Sequence, residues 1–199
     1  MNVKVIHAHP IKESFNAALH ANILTGLRSA GHEIRDFNLY ARGFDPVMPP
    51  EELRNYLNVE KNRIPVQEYV DGLLWAEALV LCFPTWWYGM PAILKGYFDR
   101  VWLPGVVFEV SKAGLLGLAP KLENLTHLSV VTTCGSPWWF TRIYMGNPNH
   151  RVLVKGIRAV CLQRLKKTFL AHYSMDRCTA ESRARFLEKV KKHFSEFGR

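Results

Sequence analysis

The sequence predicts an α/β domain in which a parallel sheet is covered by helices on both faces. Strand-like and helix-like stretches alternate five times along the chain, the arrangement that crossover connections impose on parallel strands. One stretch, ALVLCFP at residues 78–84, is apolar throughout, as a strand buried on both faces must be. The last segment places Phe186, Leu187, Val190 and Phe194 on one helical stripe, giving that helix a face to bury and a face for solvent. With 199 residues, 48% of them hydrophobic, the chain is large enough for one core and too small for two ordinary ones; residues 1–199 are expected to form a single domain.

The first strand is NVKVIHAH, with β-branched residues, followed by a polar loop and a helix from Ser14 to Ala30 that Gly31 ends. In HEIRDFNL, Ile34, Phe37 and Leu39 alternate with polar residues, which predicts the second strand. Residues 40–65, rich in proline and charge, are expected to run over the surface. A helix over 66–75 leads into ALVLCFP, the third strand. An aromatic loop follows, then a helix over 91–101, whose first turn tolerates Pro91. LTHLSVVTT supplies a fourth strand and KKTFLAHYS a weaker fifth. Thr179 suits the N-cap of the closing helix, with Glu181 in its positive first turn.

Composition narrows the function classes. The start, MNVKVIHAHP, lacks the apolar core of a signal peptide, and no stretch approaches the roughly 18 apolar residues of a membrane span, so a soluble, cytoplasmic protein is expected. Cys82, Cys134, Cys161 and Cys178 form no C-x-x-C pair and no metal-like spacing with histidine; reduced thiols and no metal are expected. Net charge is +9, from 26 Lys+Arg against 17 Asp+Glu, which favours anionic partners: nucleic acid, anionic lipid or a phosphorylated cofactor. No recognition-helix, zinc-finger or RNP-type pattern accompanies the charge, so nucleic acid is not expected.

In doubly wound sheets ligands bind beyond the carboxyl ends of the strands, where strand order reverses. The loops after strands one, three and four read HAHPIKESFN, PTWWYGMP and TTCGSPWWF. The first has the makings of a phosphate cradle: His9, then Ser14, Phe15 and Asn16 at a helix N-terminus, where free N–H groups and the dipole favour an anion. Taken singly, Ser14 and Asn16 read equally well as helix caps. Neither G-x-G-x-x-G nor G-x-x-x-x-G-K-[ST] occurs, against a nicotinamide-binding domain or a triphosphatase. The second loop offers flat aromatic surface suited to a planar ring, although such clusters also serve as core or interface. The third offers small and hydroxylated residues, Thr132 to Ser136, that let backbone come close to a ligand. One phosphorylated planar cofactor satisfies all three loops, and flavin is the candidate.

Two motifs carry a family resemblance: H-P-x-x-x-S-F-N, His9 to Asn16, and F-P-x-x-W-x-x-x-P-A-x-L-K-G-x-x-D-R-V, Phe83 to Val101. Together they resemble the flavodoxin-like NAD(P)H:quinone oxidoreductases, which include DT-diaphorase, modulator-of-drug-activity proteins and ancillary subunits of potassium efflux systems. The resemblance runs from Val3 to about Gly135. It implies a flavodoxin-like three-layer sandwich with a five-stranded parallel sheet in the order 2-1-3-4-5. It also implies a bound flavin, FAD or FMN, that takes a hydride from NAD(P)H and, in a ping-pong sequence, passes it to a quinone or similar acceptor.

The resemblance assigns roles by position. His9, Ser14, Phe15 and Asn16 match the segment on the flavin phosphate side. Pro84, Thr85, Trp86, Trp87 and Tyr88 match the loop lining the isoalloxazine ring, with Trp87 and Tyr88 also walling the substrate pocket. Thr132, Thr133, Cys134 and Gly135 match a T-T-G-G turn whose backbone donors face the flavin's pyrimidine edge, and Phe108 falls where members place an aromatic over the pocket. Two departures stand out: Cys134 replaces a glycine, and Pro137, Trp138, Trp139 and Phe140 lengthen the next loop. The family's catalytic tyrosine and histidine therefore have no simple register here; Tyr144 and His150 keep a comparable separation, and each also reads as an ordinary loop residue. His7, inside the first strand, reads as a core histidine, and Cys134, without a cationic neighbour in sequence, as an inert thiol. Members commonly form homodimers, and Trp102, Trp138 and Trp139 suit a buried patch between two copies. A second class of function keeps the fold and drops the turnover: a flavin-binding regulatory subunit docked on a membrane transporter, its basic surface toward partner or lipid.

Overall fold

The computed structural model describes residues 1–111 and 117–198. Seven strands occur among them: β1 (Asn2–His7), β2 (Glu33–Asn38), β3 (Ala78–Pro84), β4 (Phe108–Val110), β5 (Leu118–Pro120), β6 (His127–Thr133) and β7 (Lys166–His172). Five of them form one parallel sheet in the order β2-β1-β3-β6-β7. That is the expected 2-1-3-4-5 order once β4 and β5, a separate antiparallel pair, are set aside.

Side-chain alternation divides the core into two layers. Val3, Val5, Val80, Cys82 and Val131 project to one face and meet Leu19, Ile23 and Leu27 of α1 (Phe15–Ser29) and Phe186, Val190 and Phe194 of the C-terminal helix, Ala180–Ser195. Ile6, Leu79, Leu81, Phe83, Leu128 and Val130 project to the other face. There they meet Val70 and Leu73 of the helix Gln67–Trp75 and Ile93, Leu94, Tyr97 and Val101 of the helix Ala92–Val101. Including the short helices Pro50–Arg54 and Gly156–Ala159, the helices in chain order are α1, α2 (Pro50–Arg54), α3 (Gln67–Trp75), α4 (Ala92–Val101), α5 (Gly156–Ala159) and α6 (Ala180–Ser195). A Cβ at Gly26 of α1 would lie 2.7 Å from Phe194 Cβ, so glycine lets α1 and α6 touch backbone to backbone.

The predicted caps are present. Ser14 Oγ accepts from Ala17 N–H (3.1 Å) at the start of α1, and Thr179 Oγ1 accepts from Ser182 N–H (3.2 Å) at the start of α6. Beyond α1, Gly31 holds φ +76°, a left-handed conformation that ends the helix at little cost to glycine. The surface excursion is anchored by Arg100 of α4, buried, whose guanidinium donates to Glu52 Oε2 (2.9 Å) and Oε1 (2.5 Å) and to the Asp45 carbonyl. Trp102 is also buried, packed on Phe98 with ring centroids 5.0 Å apart. It therefore belongs to the core, unlike Trp138 and Trp139, which stand half exposed. The connection from β6 to β7 is not the plain loop the sequence suggests: it winds into two π-helical turns, Phe140–Tyr144 and His150–Lys155, before α5.

Candidate active site

β3 and β6 lie side by side with Pro84 opposite Thr133, and both loops that leave them turn over the same end of the sheet. After Pro84, which is itself buried, the chain makes a four-residue turn closed by Trp86 N–H to Gly89 O (3.1 Å) and Gly89 N–H to Trp86 O (2.9 Å). Its two central residues, Trp87 (φ 50°) and Tyr88 (φ 59°), are both left-handed. That conformation costs an L-residue about 1–2 kcal/mol. Trp87 is 96% exposed, so no packing offsets the strain; strained, exposed aromatic surface of this kind concentrates at functional sites.

Thr85, one residue before the turn, is a hydrogen-bond hub. Its Oγ1 lies 2.9 Å from Thr132 Oγ1, accepts from Asn149 Nδ2 (3.0 Å) and sits 3.3 Å from Cys134 Sγ. Its N–H donates to Thr133 O (2.7 Å). Asn149, buried at the mouth of the second π-helical turn, was missed in the sequence, where nothing marks it off from the surrounding N-P-N-H. Across the gap Tyr88 Oη meets Ser136 Oγ at 2.9 Å. Between these groups lies a cleft of about 220 Å3, lined by Thr85, Trp87, Tyr88, Cys134, Gly135 and Ser136, with Thr141 and Asp176 completing it. A Cβ at Gly135 would lie 2.7 Å from Asp176 Oδ2, the end of a side chain that can swing aside. Met175 N–H to Cys134 O and Ser174 N–H to Ser136 O, both 3.0 Å, strap the Asp176 loop to the turn. Burial pushes the Cys134 thiol up, and its contact with Thr85 opposes this only in part, as suits an inert thiol.

At the neighbouring carboxyl end, after β1, Asn16 is buried and its Oδ1 meets His7 Nε2 at 3.1 Å, while its Nδ2 has no partner among the described residues. His7 stacks flat on His20 (centroids 4.3 Å apart), which pairs with Asp36 at 2.9 Å. Burial, and then the His20 ring, lower His7 to about 4, so at neutral pH it is the uncharged core histidine expected. Ser14 spends its hydroxyl on the helix cap, Phe15 lies edge-on to His172 (5.7 Å), and His9 Nδ1 accepts from Ile11 N–H (3.1 Å) with its ring 6.3 Å from Trp86. A second cavity of about 400 Å3 opens between His9, Lys12, His20 and Tyr40.

The remaining sequence-picked residues are more scattered. Tyr144, 74% exposed, stacks on Phe140 (4.8 Å), which is 5.7 Å from Tyr88, so an aromatic row runs from the turn to Tyr144. His150 packs edge-on against Phe169 (5.3 Å), and no hydrogen bond or ring contact joins it to Tyr144 among the described residues. Burial, then Arg142, Lys167 and Lys155, lower its pKa. Phe108 sits in β4, packed against the core beside α4, and does not line the cleft. A further cavity, about 580 Å3, lies against that hairpin between Leu57, Val59, Arg63 and Val110, away from the strand ends.

Six backbone donors converge on this end of the sheet. Among the described residues no hydrogen bond takes up the N–H of Phe15 and Asn16 at the start of α1, of Trp87 and Tyr88, or of Gly135 and Ser136. The strand order reverses between β1 and β3, so the first two loops flank the switch point and the third adjoins it.

Fold and site thus define a doubly wound α/β protein with a donor-rich cleft at the carboxyl ends of its strands. The sequence pattern of the flavodoxin-like fold family matches residues 1–194, and the chain belongs to that family. An uncharacterized NAD(P)H oxidoreductase of Escherichia coli K12 is 36% identical over 107 residues, 53% of this chain and 55% of that protein. A second, from Haemophilus influenzae, is 36% identical over 65% of this chain and 64% of its own length, so the matches span between half and two thirds of these relatives. Rat NAD(P)H dehydrogenase [quinone] 1 is 27% identical over 94% of this chain and 74% of its own. Among solved structures, Smu.1420 from Streptococcus mutans superposes with a TM-score of 0.83 at 29% identity, covering 98% of this chain and 99% of that one.

Proposed function

We propose that the protein is a flavin-dependent NAD(P)H oxidoreductase that reduces a quinone or a similar small acceptor. The observation that carries this reading is the turn Trp86–Gly89: a strained, exposed aromatic wall whose own N–H groups are free, facing a second turn with free N–H groups across the cleft. A flavin suits these residues. The start of α1 offers two free N–H groups and a positive dipole end to a phosphate, with Asn16 Nδ2 unpartnered beside them. Gly135 and Ser136 offer N–H donors to ring carbonyls, and Cys134 lines the cleft beside them. Relatives named for NAD(P)H and quinone, and one named FMN-dependent NADH:quinone oxidoreductase, support the assignment.

When bound, the flavin supplies two-electron chemistry, accepting hydride from reduced nicotinamide and releasing it to the acceptor in a separate step. The chain's residues do the rest. The N–H groups of Gly135 and Ser136 are preorganised donors for negative charge on the ring's polar edge. Trp87 and Tyr88 offer the face on which nicotinamide and acceptor stack by turns, and the Tyr88–Ser136 bond holds that face in place. Tyr144, at the end of the aromatic row, and His150 are our candidates for donating protons or hydrogen bonds to the forming hydroquinone. We further propose a homodimer in which the exposed Trp138 and Trp139 are covered.

The test is direct: purify the protein, identify the released flavin by chromatography, and measure NAD(P)H oxidation with and without a quinone. Flavin in near-stoichiometric amount and quinone-stimulated oxidation support the reading. A protein that takes up neither FMN nor FAD refutes it.

A further inference from the structure

Asp176 is the single Asp, Glu, Lys or Arg among the side chains that line the cleft between β3 and β6; the others are hydroxyls, aromatic rings, a thiol and a glycine. No Asp or Glu occurs from Asn124 to Met175, the stretch that builds this side of the cleft from β6 through both π-helical turns to the loop after β7. The Asp176 carboxylate is therefore not one member of a mixed surface. It makes no hydrogen bond and no ion pair among the described residues.

The backbone is strained to place it there. Ser174, two residues earlier, is left-handed at φ 56°, a conformation that only glycine adopts freely, and the chain then makes the short turn Met175–Arg177. The N–H groups of Ser174 and Met175 donate to Ser136 O and Cys134 O, which straps this turn to the loop whose own N–H groups, those of Gly135 and Ser136, are free. The carboxylate rests against Gly135, where a Cβ would meet Oδ2 at 2.7 Å and Oδ1 at 3.3 Å. Rotation about the side-chain torsions moves the charge by only a few Å, and the strapped backbone keeps it at the mouth of the cleft.

Two opposed influences meet at this spot. The free N–H pair favours negative charge and the carboxylate disfavours it. Hydride transfer to a neutral ring leaves that ring with one more negative charge, so Asp176 penalises the reduced state more than the oxidised one.

We propose that Asp176 tunes the reduction potential of the flavin assigned to this cleft, lowering it and so making the reduced cofactor a stronger hydride donor to the acceptor. The inference rests on the cleft being a flavin site. Asp176 is exposed, so water and salt screen part of its charge. The expected effect is about tenfold in the equilibrium between oxidised and reduced cofactor, or about 30 mV for a two-electron couple.

The experiment is a dye-equilibrated reductive titration of the flavin-loaded, full-length protein, wild type beside Asp176→Asn and Asp176→Glu. Asp176→Asn removes the charge and keeps the shape; its midpoint should rise by about 30 mV, with the melting temperature unchanged because the native carboxylate has no partner to lose. Asp176→Glu keeps the charge and should keep the lower midpoint. Raising ionic strength from about 0.01 M to about 1 M shortens the Debye length from about 30 Å to about 3 Å and should close most of the gap between wild type and Asp176→Asn. By linkage, oxidised flavin should bind both proteins alike, and reduced flavin should bind Asp176→Asn about tenfold more tightly. A wild-type protein that takes up no flavin would overturn the function and this inference together. Flavin uptake with coincident midpoints would overturn the role of Asp176 alone. So would a gap that salt leaves untouched, or one that arrives with a large fall in melting temperature, the mark of a structural residue.

Discussion

Replacing Trp87 separates a binding wall from a packing residue. The side chain is 96% exposed and its backbone is left-handed at φ 50°, so removing it uncovers no core, and glycine there relieves strain. Relief of about 1–2 kcal/mol, less the roughly 0.5–1 kcal/mol that glycine's extra freedom costs, leaves Trp87→Gly level with the wild type or more stable by about 1 kcal/mol. For a chain of this length that is a rise of about 2–4 °C in Tm at most. Trp87→Ala keeps the strain and should melt with the wild type. A tryptophan packed in a core would instead lose about 3–5 kcal/mol. The stacking face is lost in both variants; aromatic pairs contribute about 0.5–1.5 kcal/mol beyond burial, so kcat/KM for nicotinamide and acceptor should fall by about two- to tenfold. The assay pairs thermal melting and flavin occupancy with stopped-flow rates of each half-reaction. Unchanged rates in both halves refute the wall, and a large drop in Tm refutes the argument from exposure.

Thr85→Val removes the acceptor shared by Asn149 and Cys134 and should destabilise by about 1–3 kcal/mol in urea unfolding, with Thr85→Ser restoring most of it. For Ser14→Ala the structure assigns a lost cap, about 1 kcal/mol of stability, and the combined Ser14→Ala, Asn16→Ala variant should retain flavin at least tenfold more weakly by fluorescence titration. His7 is depressed to about 4 in the folded protein against 6.5 in the unfolded chain, so protons bind the unfolded state first. The stability that its neutral form confers is complete above 6.5 and is lost as pH falls toward 4, by about 3 kcal/mol in all. His7→Gln should flatten that part of the pH profile of the urea midpoint; an unchanged profile would show that His7 is not the group. Light scattering is expected to give the mass of two chains, and a fully active monomer would contradict the dimer.

How much of this was legible in the sequence depended on how long each signal was. The parallel sheet was legible because ALVLCFP is a continuous apolar run and LTHLSVVTT a strand-length stretch rich in β-branched residues, and α1 and α6 because Ser14 and Thr179 are caps ahead of apolar periods. The β4–β5 hairpin was not, since three residues per strand leave no period to read. Nor was Lys4, which alternation alone sends to a polar position but which is wholly buried, its Nζ donating to Tyr69 O (2.6 Å) above the Phe37 ring (4.2 Å). Of the site, the loops were found because they follow strands in a doubly wound order. Thr85's partnership with Asn149, 64 residues away, is a tertiary fact with no local mark, and so is the seat of Asp176 against Gly135. Trp102 misled because an aromatic residue reads the same in sequence whether it faces core or partner.

The central claim is that the cleft at the ends of β3 and β6 holds a flavin that cycles between nicotinamide and an acceptor. Anaerobic stopped-flow spectroscopy on the flavin-loaded protein tests it most directly. One equivalent of NADH or NADPH should bleach the flavin absorbance within the turnover time, and a quinone added after the nicotinamide has been removed should restore it fully. A bound flavin that neither nucleotide bleaches, or one bleached but not restored by any quinone, would contradict the account.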